Sequence, residues 1–340
     1  MKKIVFLLLI VSGILACENR ENIFPDFDYN AVYFPVQYPV RTLSFGNDDL
    51  DNSLDKELKF NIGVSIGGMY KNTKNWTVEY IVDESLCDNL GNNVKPLPSS
   101  WYTLTPENQV TIPPGSFSGL ILVQLTNEFL ADSLSTGNHY VIPLRIISTN
   151  ADSILTGLPA ISDPDKRILS NWDASAAPKD FTLFMVKYVN EYHGKYLKRG
   201  VDYLLNVFGA RTDSTKYHQK HVELDEVVSL ATTSQNTLKT NFMGLNKDGD
   251  YMMKLDFNPV TGDVTVSTAP GARYSVVGTG TGKYVQGGDS WGGRDRDVIY
   301  LNYRYRIGLI THEVYDTIVF RDRGIAYELF EPVLSVTGTK

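Results

Sequence analysis

The feature that most constrains this chain is a strict two-residue alternation of apolar and polar positions. In KELKFNIGVSIGG (56–68) the apolar residues Leu58, Phe60, Ile62, Val64 and Ile66 fall on every second position. In WTVEYIVD (76–83) Trp76, Val78, Tyr80 and Val82 do the same. Successive side chains of a strand point to opposite faces, so this pattern buries one face of a sheet and cannot sit on one face of a helix. Long stretches of 3.6-residue periodicity are scarce. Tyr and Phe are plentiful, and Gly and Asn punctuate the runs. The fold class is therefore all-β.

A chain of 340 residues exceeds one typical core, so two domains are expected. The first half carries five to seven strand-like runs, from AVYFPVQYPVRTL (31–43) to HYVIPLRIIS (139–148), with Pro113-Pro114-Gly115 as a turn. Pro35 and Pro39 confine the opening run to an edge or a bulge. This spacing suggests an immunoglobulin-like β-sandwich over 27–156. Residues 157–180, rich in Pro, Ser, Asp and Ala, read as a linker, with Trp172 expected to pack between the domains. From 181 to 340, about ten strand candidates follow one another, with hairpin signals at Asp248-Gly249 and Gly262-Asp263. A long meander is best stabilised by closing on itself, so an antiparallel β-barrel of the calycin or lipocalin type is expected, with a flat lectin-like sandwich as the alternative.

The N-terminus supplies an address. Lys2 and Lys3 precede an apolar run, Ile4 to Leu15, that is too short to span a bilayer, and the run ends in Ile14-Leu15-Ala16-Cys17. That ending looks like a bacterial lipobox. On this reading residues 1–16 are a signal peptide, the Cys17 thiol takes the lipid anchor, and 17–26 form a tether. Loss of Lys2 and Lys3 moves the net charge from −7 to −9, which offers no attraction to nucleic acid phosphates. Cys87 is then the only remaining thiol, so a disulfide framework is impossible and Cys87 reads as a small core residue.

Candidate chemistry is sparse. The Gly-rich stretch GTGKYVQGGDSWGGRDRD (280–297) places Tyr284, Asp289, Trp291, Arg294 and Asp295 close together. A sugar site needs an aromatic face beside carboxylates or guanidinium groups, and this composition fits. The competing reading packs Trp291 beneath a bulged β-connection. GTGTGK lacks the phosphate-loop spacing, and no helix follows it. His218 and His221 stand three apart and would face opposite sides of a strand, leaving only His221 with Glu223, so no metal site is expected. His139, His193 and His312 show no companions. NKDGD (246–250) reads as a hairpin, and the acid-rich segment 46–57 as a solvated loop. No G-x-S-x-G motif or nucleophilic triad is present, so no catalytic residue and no cofactor are assigned.

The residues FPDFDYNAVYFPVQYPVRTLSFG (24–46), VDESLCDN (82–89) and VTIPPGS (110–116) resemble a family of Bacteroidetes surface lipoproteins. That family carries an N-terminal immunoglobulin-like domain of unknown function, found also ahead of family 18 glycoside hydrolase modules. NWDASAAPKDFTLF (171–184), YHGKYLKRG (192–200), GTGKYVQGGDSWGGRDRDVIYLNYRY (280–305) and DTIVFRDRG (316–324) resemble the C-terminal domains that follow this module. The resemblance implies an accessory protein of a polysaccharide-utilisation system, lipid-anchored on the outer membrane, facing outward beside a TonB-dependent importer and holding an oligosaccharide or polysaccharide. The chain leaves no room for a (β/α)₈ glycosidase barrel of about 250 residues and has no DxxDxDxE-like run, so no activity carries over. Alternatives from other classes are a structural or adhesive subunit that recruits a partner protein along a sheet edge, a hydrolase with an unrecognised site, and a carrier of an apolar ligand inside the barrel. If the lipobox reading holds, growth with a radioactive fatty acid labels the wild-type chain and leaves Cys17→Ala unlabelled.

Overall fold

The structure, a computed structural model, describes residues 27–46 and 51–334. The leader, Cys17, the tether and the acids of 47–50 lie outside the described residues. Among those described, no helix is long and apolar enough to cross a membrane.

The alternating runs form two sheets packed face to face. One has five strands, in the order Ser153–Ile154, Ala31–Tyr33, Lys59–Gly67, Ser118–Leu125, Tyr102–Thr105. The other has seven and includes Pro39–Ser44, Trp76–Val82, Gln109–Ile112, Tyr140–Thr149 and Phe181–Val189. Phe60, Ile62, Val64 and Ile66 are buried on the first sheet, and Trp76, Val78 and Tyr80 on the second. Leu58 stands before its strand at φ 59°, and Val82 is exposed. The Pro113-Pro114-Gly115 turn joins strands of different sheets, because Gln109–Ile112 pairs with Trp76–Val82 while Ser118–Leu125 pairs with Lys59–Gly67. The two sheets approach closely at Gly119, where a Cβ would lie 2.8 Å from the Thr111 carbonyl oxygen.

The strand Phe181–Val189 corrects the boundary at 181. It runs parallel to Pro39–Ser44 and antiparallel to Tyr140–Thr149, inside the sandwich. Phe181, Leu183, Met185, Val186 and Tyr188 are all buried there. The connector is thus an excursion from the sandwich rather than its end. Trp172 is buried against the connector itself: its Nε1 donates to the Asp165 carbonyl at 2.8 Å, and Gly157 lies against its ring. The chain end also returns, since Glu328–Leu329 pairs with Pro39–Ser44 and Phe330 joins Phe181, Leu183 and Met185. The half-buried Cys87 packs on that same cluster, and burial pushes its thiol up to about 12.

The remaining strands form a closed antiparallel barrel of eight. In ring order these are Gly194–Leu205, Glu226–Ser234, Thr237–Lys239, Met253–Phe257, Asp263–Thr268, Gly280–Trp291, Arg294–Ile307 and Ile310–Asp322. The last pairs with the first from Lys195↔Asp322 to Leu205↔Thr311, and this closure excludes the flat sandwich. Arg211–Tyr217 and Ser275–Val276 pair with the ring from outside it. Tyr196, Leu230, Leu238, Met253, Leu255, Val266, Ile299 and Leu301 belong to the buried core cluster of the barrel. The hairpin expected at Asp248-Gly249 forms instead around Gly244 and Leu245, between Phe242–Met243 and Asn246–Lys247. Residue 27 leaves the sandwich at the end opposite the barrel. Ala31 pairs with Gly67 at that end, whereas the turn Ser133–Thr136 packs against the barrel strand Glu226–Ser234 at the other.

Because the Gly119 approach leaves no space, Gly119→Ala lowers sandwich stability by about 1–3 kcal/mol in urea denaturation. Gly63→Ala, whose Cβ meets only a leucine methyl at 4.0 Å, is the control and costs far less.

Candidate functional site

The stretch 280–297 is a long hairpin. Gly292 and Gly293 form its two-residue turn with φ of 62° and 72°, the left-handed pair that a tight hairpin demands, and Trp291 faces Arg294 across it. A bulge between Val285 and Asp289, with Gly287 at φ 61°, breaks the alternation.

Tyr284 and Trp291 stand an odd number of positions apart along the strand, so they face opposite sides of the sheet, with or without the bulge, and cannot form one sugar platform. Tyr284 points into the barrel. Its ring meets Tyr192 edge-on at 5.0 Å, and its hydroxyl donates to Asp297 Oδ2 at 2.6 Å. Burial, together with that carboxylate, raises its pKa. Trp291 lies on the outer face, against Leu197, Val298 and Val319, with its Nε1 donating to the Phe320 carbonyl at 3.0 Å and Arg296 stacked over its ring at 4.2 Å. The packing reading of Trp291 is the one observed. Asp289 accepts from the Ser290 amide at 2.7 Å and does not line the cleft described next.

Arg294 and Asp295 do reach a cavity. They line a cleft of about 520 Å³ between the barrel and the sandwich. The barrel contributes Arg294 to Asp297 and Phe320 to Arg323; the sandwich contributes Arg41, Thr42, Ser44, Asn52 and Asp55. Its walls are positioned from both sides. Asp55 is buried, pairs with Arg41, and accepts from the Ser44 amide at 3.0 Å. Arg323 donates to the Glu191 carbonyl and, at 2.8 Å, to that of His193, and its guanidinium lies so close to Gly46 that any side chain there would overlap it. His193 accepts from the Thr232 amide at 3.1 Å. Burial, then the Arg323 charge, lowers its pKa to about 4, so it is neutral at pH 7. A second, mostly apolar groove of about 220 Å³ lies at the far end of the sandwich, lined by Phe27, Tyr29, Tyr33 and Leu155.

The polar groups inside the barrel escaped the sequence reading. Lys198, with a side chain 0% exposed, donates to the Gly244 carbonyl at 2.6 Å and pairs with Glu226 at 3.1 Å. The buried Asp316 accepts from the hydroxyls of Tyr217 and Tyr303, and the Gly244 amide donates to the Tyr303 hydroxyl at 2.6 Å. His312 does have companions. Its Nδ1 lies 2.9 Å from Asp202 Oδ1, and its ring stacks on Tyr305 at 4.4 Å. These partners stand up to 110 residues apart in the chain, so no local motif marks them. Neither the cleft nor the groove is lined by any residue of this network. His218 and His221 flank a loop; residues 222–224 form a 3₁₀ turn, so His221 and Glu223 do not share a strand face. Among the described residues no group of three or more His, Cys, Asp or Glu has a metal-holding arrangement.

Comparisons with known proteins follow the two-domain division. A family model described as a domain of unknown function, DUF5627, matches residues 191–324, and a second, described as an N-terminal domain, matches 27–153. A crystal structure of a Bacteroides ovatus protein of unknown function shares 36% identity with a TM-score of 0.79, covering 90% of this chain and 100% of that one. Two further Bacteroides ovatus structures are more distant. One of unknown function has 14% identity and a TM-score of 0.42, covering 86% of this chain and 94% of that one. The other, a multidomain protein including DUF1735, has 13% identity and a TM-score of 0.43 over the same shares. No curated protein matches the chain.

Burial raises the Asp316 carboxyl from 3.8 to about 6 against the opposing pull of Lys198 and its two tyrosines. The folded state therefore holds this proton more tightly than the unfolded chain. The resulting stabilisation is complete below pH 3.8 and is lost as pH rises through about 6. Relative to Asp316→Asn, the wild type loses about 3 kcal/mol between pH 3.5 and pH 7, at about 1.4 kcal/mol per pKa unit. Urea denaturation across this range checks it, and a flat difference counts against the assignment.

Proposed function

This chain belongs to the same family as the Bacteroides ovatus protein of unknown function that it matches over that protein's full length, and we propose that it is a non-catalytic glycan-binding lipoprotein of the outer surface, serving a polysaccharide-utilisation system. The observation that carries this reading is the cleft at the domain junction. Its walls are mostly Arg, Asp, Asn, Ser and Thr, with Phe320 as an apolar surface. Ligand sites favour domain junctions, and guanidinium and carboxylate groups are the side chains that best bond sugar hydroxyls. The hairpin residues Arg294 and Asp295 remain the expected sugar contacts. Tyr284, Asp289 and Trp291 are released from that role and hold the hairpin instead.

An open cleft gains little beyond what desolvation and ordering consume, so affinity in the micromolar to millimolar range is expected. The Cys17 anchor would leave the fold at residue 27, on the sandwich end remote from the barrel. A TonB-dependent importer remains the expected neighbour. Residues 18–340 retain every described element and suit a glycan array. Retention of an oligosaccharide is expected, and Arg294→Ala with Asp295→Ala weakens it about tenfold or more, since bonds to charged groups contribute roughly 1.5–3 kcal/mol. No retention by any glycan, or retention indifferent to both substitutions, defeats the proposal. Reducing-sugar release from a polysaccharide panel would favour the hydrolase reading instead.

A further inference from the structure

At the barrel end remote from the sandwich, two neighbouring hairpins project apolar tips into solvent. Leu205 pairs with Arg211 on one side and Thr311 on the other, and Ile307 pairs with Ile310. The two tips therefore rise from the same rung of the sheet, about 5 Å apart. Val207 is 89% exposed, Phe208 92% and Leu309 96%. These side chains are held outward by built turns. The Asn206 side chain accepts from the amides of Phe208 and Ala210, both at 3.0 Å, and the Asn206 amide donates to the Ala210 carbonyl at 2.9 Å. Exposing large apolar groups on an ordered, convex turn runs against the hydrophobic effect unless something apolar receives them.

Below the tips the chemistry changes in layers. Arg211, Arg304 and Arg306 face solvent on the next rungs. Facing them are Asp213 and Glu313; the latter is 7% exposed and bonded by both Arg211 and Arg304. Tyr203 shares a rung with Arg304 and Glu313 and meets Tyr315, one step farther down, edge-on at 6.2 Å, with the Arg211 guanidinium over the Tyr203 ring at 3.9 Å. Apolar residues outermost, with arginines and tyrosines together beneath them, suit the boundary between hydrocarbon and lipid headgroups. The guanidinium groups of Arg211, Arg304 and Arg306 offset the carboxylates of Asp213 and Glu313, so this end lacks the acidic excess of a chain of net charge −7.

We propose that this barrel end docks on an anionic lipid surface, inserting Val207, Phe208 and Leu309 among the acyl chains while Arg211, Arg304 and Arg306 meet headgroup phosphates. A convex pair of tips offers no groove for a peptide, but a deformable apolar medium accepts it. The proposal is independent of the glycan cleft. Residue 27 leaves the opposite end of the molecule, so a lipid at Cys17 and these tips together would lay its long axis along a membrane.

The test is vesicle flotation with residues 18–340, which lack the acylation site. Wild type is expected to float with phosphatidylcholine vesicles containing one-quarter phosphatidylglycerol, and several-fold less with phosphatidylcholine alone. Phe208→Asp combined with Leu309→Asp, at side chains that touch little else, lowers binding at least about tenfold while thermal unfolding and glycan retention stay unchanged. Phe208→Trp reports insertion by a blue-shifted emission quenched by brominated acyl chains. Failure of wild type to float, equal flotation of the double variant, or equal partition onto neutral vesicles overturns the proposal. So does a monomer–dimer equilibrium that the double variant abolishes without any flotation, which would assign the tips to a second copy of the chain.

Discussion

The arrangement of the whole molecule depends on one backbone ladder, the parallel pairing of Pro39–Ser44 with Phe181–Val189. Parallel neighbours need a long crossover, and here everything from Phe45 to Asp180 lies between the two paired segments. The chain leaves the sandwich at Val189, so the ladder also sets where the barrel begins. With Ser44 opposite Val189, the segment carrying Gly46, Asn52 and Asp55 is brought beside the barrel mouth. The C-terminal pairing of Val40 with Glu328 fastens the same strand from its other side. One six-residue strand is thus clamped by segments that enter and leave the barrel.

The junction carries polar chemistry because it must. Backbone carbonyls at Glu191 and His193, in the short passage between sandwich and barrel, have no strand partner to bond them, and Arg323 supplies the donors. Asp55 in turn satisfies the Ser44 amide and neutralises Arg41. A cleft walled by such groups is wet and hydrogen-bonding, which suits a polyhydroxylated ligand better than an apolar one. The barrel interior follows the opposite rule at one end and a costly compromise at the other. Aliphatic and aromatic side chains fill most of it, while Asp202 and Asp316 are buried among tyrosine hydroxyls that satisfy them and Lys198 is satisfied by the Gly244 carbonyl and Glu226. Leaving any one of these groups without its partner would cost more than the pair contributes.

The hairpin at 280–297 shows how far local pattern reaches. Its glycines marked a tight turn and a bulge, and both exist at Gly292-Gly293 and Gly287. Two charged residues singled out by composition, Arg294 and Asp295, line a cavity. Composition misjudged the aromatics, because Tyr284 and Trp291 stand an odd number of positions apart and face opposite sides of the strand, and composition does not record faces. His312 is the reverse case: it lacked companions in the sequence and found Asp202 and Tyr305 across the barrel wall.

By itself the sequence determined the all-β class, the two units, most buried faces and the turns, because two-residue alternation and left-handed glycines act within a few residues of chain. It also set the apolar run from Ile4 to Leu15 that precedes Cys17. Only the tertiary structure decided that Phe181–Val189 completes the sandwich, that the ring closes between Gly194–Leu205 and Ile310–Asp322, and that Asp316 meets Tyr217 and Tyr303. Alternation states which face of a strand is apolar and says nothing about which strand lies beside it. That choice is made by packing between segments remote in the chain, more than a hundred residues apart where Lys195 meets Asp322.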